Sequence, residues 1–117
     1  MSGENLVLRT KKFAIDCIKA TIKFENSFLA NHIKSQLIRC STSVAANYRA
    51  TRLSQSKAAF IAKLSIVIEE TDESGYWLEL AQELNLVNIH DVETISKEAN
   101  ELTSIFIASR KTAKRNM

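Results

Sequence analysis

Residues 57–84 read KAAFIAKLSIVIEETDESGYWLELAQEL, and the spacing within them decides the fold. Phe60, Leu64, Val67, Thr71, Ser74, Leu78 and Ala81 recur at intervals of four and three. Such a series keeps one side of an α-helix turned toward a core. Ile61, Ser65, Ile68, Asp72 and Gly75 form a second stripe one residue along. A helix over about residues 55–84, starting after Ser54 or Ser56, would be about 45 Å long at 1.5 Å per residue.

Three more helices flank it. The first is expected over about residues 5–24, with Leu6, Phe13, Cys17, Ala20 and Phe24 on its stripe and Ile15, Ile18 and Ile22 widening it. A break at Glu25-Asn26-Ser27 supplies an N-cap for the second helix, about 29–50. That helix carries Ile33, Leu37, Cys40, Val44 and Tyr48, with Ser41, Ser43, Ala45 and Ala46 among them. Small residues of this kind allow a neighbouring helix to approach closely. The fourth helix is expected over about 91–111, on Val92, Ile95, Ala99, Leu102 and Phe106. Met1 to Glu4 and Thr112 to Met117 are expected to fray.

Composition agrees with this reading. The 117 residues contain no Pro and two Gly, which removes most turn and hairpin signals. Short connections between long amphipathic helices predict an all-α, antiparallel up-down-up-down four-helix bundle, with 1–117 as one domain. No apolar run approaches the roughly 18 residues of a membrane span, and no secretory h-region opens the chain. Cys17 and Cys40 sit in helical patterns without metal-ligand spacing. They read as small apolar side chains of a reducing cytoplasm, so the expected location is cytoplasmic.

Charge is sorted along the chain. Residues 1–63 hold eleven Lys or Arg against three acids, whereas 64–96 hold eight acids and no Lys or Arg. Antiparallel packing would gather Arg9, Lys11, Lys12, Arg49, Arg52, Lys57, Lys63, Arg110, Lys111, Lys114 and Arg115 at one end. So many cations suggest an anion-binding surface, and nucleic acid is the commonest large anion. Nothing in the pattern supplies base readout, so contact through phosphate is the expected mode. The competing reading is that these charges solvate a surface and complement two helix C-termini.

Catalytic patterns are absent from the sequence. Glu69 and Glu73 stack at i, i+4, but His32 and His90 do not follow a Glu at the spacing a di-metal bundle uses. Both histidines fall near helix starts and read as solvated or capping. The acidic run 69–73 reads as solvated, or as paired with basic residues of another subunit. No phosphate loop or Ser-His-Asp arrangement is visible, so the chain reads as a non-enzyme without cofactor or metal. Gly75-Tyr76-Trp77 is an aromatic patch of the kind enriched at subunit interfaces, although Trp77 could equally pack in its own bundle. The two stripes of the third helix and the small-residue face of the second exceed one core's need. Self-association is therefore expected.

Gln36-Leu37-Ile38-Arg39-Cys40-Ser41-Thr42-Ser43-Val44-Ala45-Ala46-Asn47 resembles the QLxRxxxSIxxN signature of the four-helix bundle proteins encoded in 23S rRNA intervening sequences. Phe60, Leu64, Glu70, Leu78, Ala81 and Leu84 resemble the third helix of that family. The usual Asn-x-x-Glu-Gly ending stands here as Asn47-Tyr48-Arg49-Ala50-Thr51, as in the branch of the family carrying ANYRA and a Trp-Leu-Glu run. The resemblance implies a homopentameric ring, no enzymatic activity, and kinship with the accessory proteins of diversity-generating retroelements, which bind a reverse transcriptase and nucleic acid. It also implies structural or interface roles for Arg39, Asn47 and Glu70, to which the aromatic patch adds Tyr76 and Trp77. Asn47 is expected mid-stripe, as a buried polar group that needs partners. The expectation is thus a cytoplasmic, bacterial-type oligomer that binds RNA or DNA backbone. The alternative is a protein-interaction scaffold whose charge serves ring assembly or one protein partner.

Overall fold

A computed structural model describes residues 3–116. Four helices, α1 (Gly3–Thr21), α2 (Phe28–Ala50), α3 (Lys57–Glu83) and α4 (Glu93–Arg115), run up-down-up-down and antiparallel. Single 3-10 turns at Thr51–Leu53 and Ile89–Asp91 sit in the second and third connections. Helices adjacent in the chain share the three main seams, and a thinner α1–α4 seam closes the bundle. The result is a rod of 47 × 20 × 19 Å.

The helix ends follow from their caps. Ser27 Oγ accepts from the Ala30 N–H at 3.2 Å, and Ser56 Oγ accepts from the Ala59 N–H at 3.0 Å. Each satisfies one of the donors that a helix start leaves open. α3 closes in a Schellman motif. Asn85 takes a left-handed φ of 58°, its N–H reaches the Gln82 carbonyl, and the Leu86 N–H reaches the Ala81 carbonyl. The Leu86 carbonyl then accepts from the Glu25 N–H at 2.8 Å, which joins the α1–α2 and α3–α4 connections at one end of the rod.

Several boundaries differ from the sequence expectation, and α1 is already helical at Gly3 and Glu4 in place of the expected fraying. α1 stops at Thr21, because the N–H groups of Ile22, Lys23 and Phe24 turn back to carbonyls three residues earlier. Phe24 is still buried, so the apolar period outlasts the helix. α4 continues to Arg115 instead of fraying from Thr112, whose Oγ1 donates to the Ala108 carbonyl at 3.1 Å. It starts at Glu93 because Asn88 Oδ1 accepts from the His90 N–H at 2.9 Å and holds a 3-10 turn first. Met1, Ser2 and Met117 lie outside the described residues.

The inward stripes form the core. Phe13, Cys17, Ile33, Leu37, Val44, Leu64, Val67, Leu78, Leu102 and Phe106 are all essentially inaccessible. Burying one such large side chain contributes about 1.5–3 kcal/mol. Thr10, Thr71 and Ser74 are buried too, and each hydroxyl donates to a carbonyl of its own helix. Gly75 lets α3 approach α4: a Cβ there would lie 3.6 Å from that of Ala99.

The surplus apolar surface is not on the helix where the sequence pattern suggests it. On α3, Ile68 is buried and Ile61, Ser65 and Gly75 are half-buried, so most of the second stripe is absorbed inside one bundle. On α1, Ile15, Ile18 and Ile22 do not widen the core stripe. They are exposed, Ile22 to 79%. At about 100° per residue these positions lie on the opposite side of the helix from Phe13.

A candidate nucleic-acid interface at the basic end

The topology brings Arg49, Arg52, Lys57, Lys63, Arg110, Lys111, Lys114 and Arg115 to one end of the rod, whereas Arg9 and Lys12 lie against residues 94–101 in the first half of α4, away from that end, which corrects the expectation for both. Arg9 is half-buried and engaged by α4. Its Nε and Nη2 donate in a fork to Glu98, both at 2.7 Å, and Nη2 lies 3.0 Å from Glu101. These bonds hold the guanidinium even further above its ordinary pKa. Lys12 donates to Asp16 at 2.6 Å, one turn on, which raises the ammonium pKa. Arg110 is half-buried and donates to Ser65 Oγ at 3.2 Å. Arg9 therefore belongs to the α1–α4 seam.

The remaining cations fall into two groups. Lys11, Arg49 and Arg52 line a groove of about 460 Å³ between α1 and α2. Its floor and walls are apolar or small, with Leu8, Ala14, Ile15, Ala45 and Ala46. Arg110, Lys111 and Lys114 line a shallower depression of about 190 Å³ beside Ile107 on α4. Lys57 and Arg115 are exposed and Lys63 is half-buried. Among the described residues, none of Lys11, Arg49, Arg52, Lys57, Lys63, Lys111, Lys114 and Arg115 has a carboxylate within ion-pair distance.

Helix dipoles account for part of this. Arg49 is in the last turn of α2, and Lys114 and Arg115 are in the last turn of α4, where cations complement the C-terminal partial charge. Lys57 is different. It opens α3, whose first turn contains no acid, so its charge sits at the positive end of a helix.

At mid-height the α2–α3 seam carries a polar clasp. Arg39 Nη1 donates to Glu70 at 3.1 Å, Nη2 donates to Glu73, and Nε donates to Gln36 at 3.1 Å. The Trp77 indole N–H donates to the same Glu73 at 3.0 Å. The expectation for the acidic run is thereby corrected. Glu70 and Glu73 are paired with Arg39 of their own chain, while Glu69 and Asp72 face solvent. Trp77 packs half-buried against the core, edge-on to His32, which is exposed and makes no cap. Tyr76 is 52% exposed, with its ring against Trp77.

Asn47 is also corrected. It lies beside the buried stripe of Val44 and Tyr48, half-buried, and its amide donates back to Ser43 O at 2.9 Å and Ser43 Oγ at 2.8 Å. Its hydrogen bonds stay within its own helix. Cys17 and Cys40 are buried free thiols, and burial pushes both pKa values up. No group of three potential metal ligands occurs among the described residues, and no described helix is long and apolar enough to cross a membrane.

Sequence reasoning missed two features. The Glu98–Glu101 pair that holds Arg9 shows in the sequence only as acids on the fourth helix, without their height in the fold. The outward stripe of Leu8, Ile15, Ile18 and Ile22 does carry a signal, the angle that each position makes with Phe13 around the helix.

The molecule is an all-α antiparallel four-helix bundle with a cationic end. The family described as 23S rRNA-intervening sequence protein matches residues 5–108, and the chain belongs to that family. Among solved structures, the chain is similar to a protein of unknown function of the S23 ribosomal protein family from Bacteroides thetaiotaomicron. The two are 29% identical with a TM-score of 0.79, and the match covers 94% of this chain and 99% of that one. No curated protein matches.

Proposed function

We propose that the protein is a non-catalytic, oligomeric bundle that binds RNA or DNA backbone through its basic end. The observation that carries this reading is the contrast among the cations. Arg9 and Arg39 are paired with carboxylates of neighbouring helices, whereas Arg49, Arg52 and Lys57 crowd the α2–α3 turn with no acid paired to them among the described residues. Lys57 lies at a helix start, where an anion is favoured from both sources of positive potential. Phosphate offers the matching charge without requiring base contacts. The family is named for 23S rRNA, which makes RNA the first ligand to test.

A second reading has its own support. The Lys11–Arg49–Arg52 groove has an apolar floor, which suits a protein partner better than a phosphate backbone. Under this reading the bundle is an interaction scaffold.

Fluorescence anisotropy with unrelated RNA and DNA oligonucleotides at two salt concentrations separates the two. Replacing Arg49, Arg52 and Lys57 together by Ala should weaken binding to every sequence alike. The salt slope should drop by about one unit for each phosphate that the variant no longer neutralises. Asp91→Asn, at the opposite end of the rod, should change neither. If the parent protein binds no oligonucleotide at low salt, the nucleic-acid reading fails and the scaffold reading stands.

A further inference from the structure

The groove between α1 and α2 combines apolar walls with charge gathered in one half. Leu8, Ile15 and Ile18 stand along it, exposed to 68%, 41% and 40%. Lys11, Arg49 and Arg52 occupy the half nearer the α2–α3 turn, exposed and without an ion pair among the described residues. No acid lines the groove among the described residues. Its lining recurs at positions 8, 11, 15 and 18 of α1 and at 42, 45, 49 and 52 of α2, so one face of each helix makes each wall. We infer that this groove seats an acidic amphipathic helix of another protein, an assignment that rests on the scaffold reading and gives it a partner.

The dimensions suit a helix. Leu8 to Ile18 spans about 15 Å at 1.5 Å per residue, close to three turns, which is enough for anchors at i, i+3 or i+4, and i+7. Ala45 and Ala46 leave the α2 wall low, so the groove keeps about 460 Å³ for incoming side chains. Its chemistry narrows the occupant further. A nucleic-acid backbone repeats its charge along its whole length and would lay hydrated phosphates over Ile15 and Ile18, where nothing replaces their water. A wholly apolar segment would cover Lys11, Arg49 and Arg52 without pairing them, which is costly for any charge it desolvates. Two copies meeting groove to groove would set these cations against each other. A helix with an apolar face and carboxylates toward one end satisfies both halves. Its apolar anchors cover Leu8, Ile15 and Ile18, and its acids meet the three cations.

Fluorescence anisotropy with three labelled peptides of about 18 residues tests this, a length that leaves a turn to spare at each end of the groove. The first is rich in Ala and Glu with leucines at i, i+3, i+4 and i+7. The second scrambles the same composition so that no face is apolar, and the third keeps the face but carries Lys in place of Glu. The parent should bind the first in the micromolar range and the other two at least about tenfold more weakly. Ile15→Ser with Ile18→Ser should weaken the first peptide by at least about tenfold at unchanged helical circular dichroism. Serine leaves the local charge alone, so the oligonucleotide titration, which decides the broader scaffold reading separately, should not respond to this pair. Equal binding of the scrambled acidic peptide would reduce the attraction to charge and overturn the inference, as would a first peptide indifferent to the serine pair. A parent that binds none of the three, yet forms an oligomer in light scattering that Ile18→Asp dissociates, would give the groove to a second copy and overturn it too. If the serine pair loses helicity, the three peptides on the parent chain decide alone.

Discussion

α1 and α3 carry similar patterns in sequence and meet different fates in the fold. Each has an apolar stripe at helical spacing and further apolar positions beside it. On α3, the additional positions Ile61, Ser65, Ile68 and Gly75 lie close enough in angle to the first stripe to be wholly or half covered by α2 and α4. On α1, the additional positions lie on the far side, and α4 covers little of that helix. The number of apolar residues on a helix therefore does not fix how many are buried. Their angle and the coverage given by neighbours do.

The contrast can be broken at three points. The largest effect is expected at the inner side of α1. Phe13→Ala should cost about 3–5 kcal/mol in a denaturant melt, because the side chain is wholly buried and the cavity cannot refill. A cost under about 1 kcal/mol would show that α1 is peripheral on both sides. On α3, Gly75→Ala should stabilise the protein by roughly 0.5–1 kcal/mol. The new methyl would make an ordinary contact with Ala99 at 3.6 Å, while the unfolded chain loses conformational freedom. A destabilised variant would mean that the two helices are held closer than this geometry allows. The smallest effect belongs to the outer side of α1. Ile15→Ser should shift protomer stability by no more than about 0.5 kcal/mol when melted at submicromolar concentration. If the outward stripe is an interface, the destabilisation should grow as protein concentration rises, since assembly adds to apparent stability by mass action. A shift independent of concentration would confine Ile15 to the protomer.

Much of the fold is legible in the sequence because its determinants are local. The inward positions of all four helices and the caps at Ser27 and Ser56 depend on residues within a turn or two of each other. What escapes is set by distance or by angle. The pairing of Arg39 with Glu70 and Glu73 joins two helices, and the capture of Arg9 by Glu98 joins the first helix to the last. No periodicity encodes such pairs. The final turn of α4 is polar, so hydrophobic spacing runs out before the helix does. Asn47 falls off the stripe because it is one residue from Tyr48, and one residue is about 100° of rotation. In the candidate site, the gathering of Arg49, Arg52, Lys57 and the last cations of α4 at one end follows from topology alone, whereas the height of Arg9 and Lys12 does not. Their division into neutralised and unpaired members needs the three-dimensional neighbours.

The Arg9–Glu98 fork bridges positions 89 apart in the chain, whereas the other three seams join consecutive helices. Consecutive helices meet after closing short connections, so most of the bundle assembles with the low contact order of fast-folding helical proteins. The α1–α4 seam alone must wait for the whole chain to come round. Contact order thus predicts that it is the last part of the rod to zip shut, and its thinness that it is the first to open. Amide hydrogen exchange is expected to be fastest along that line, with the arginine fork as its clasp.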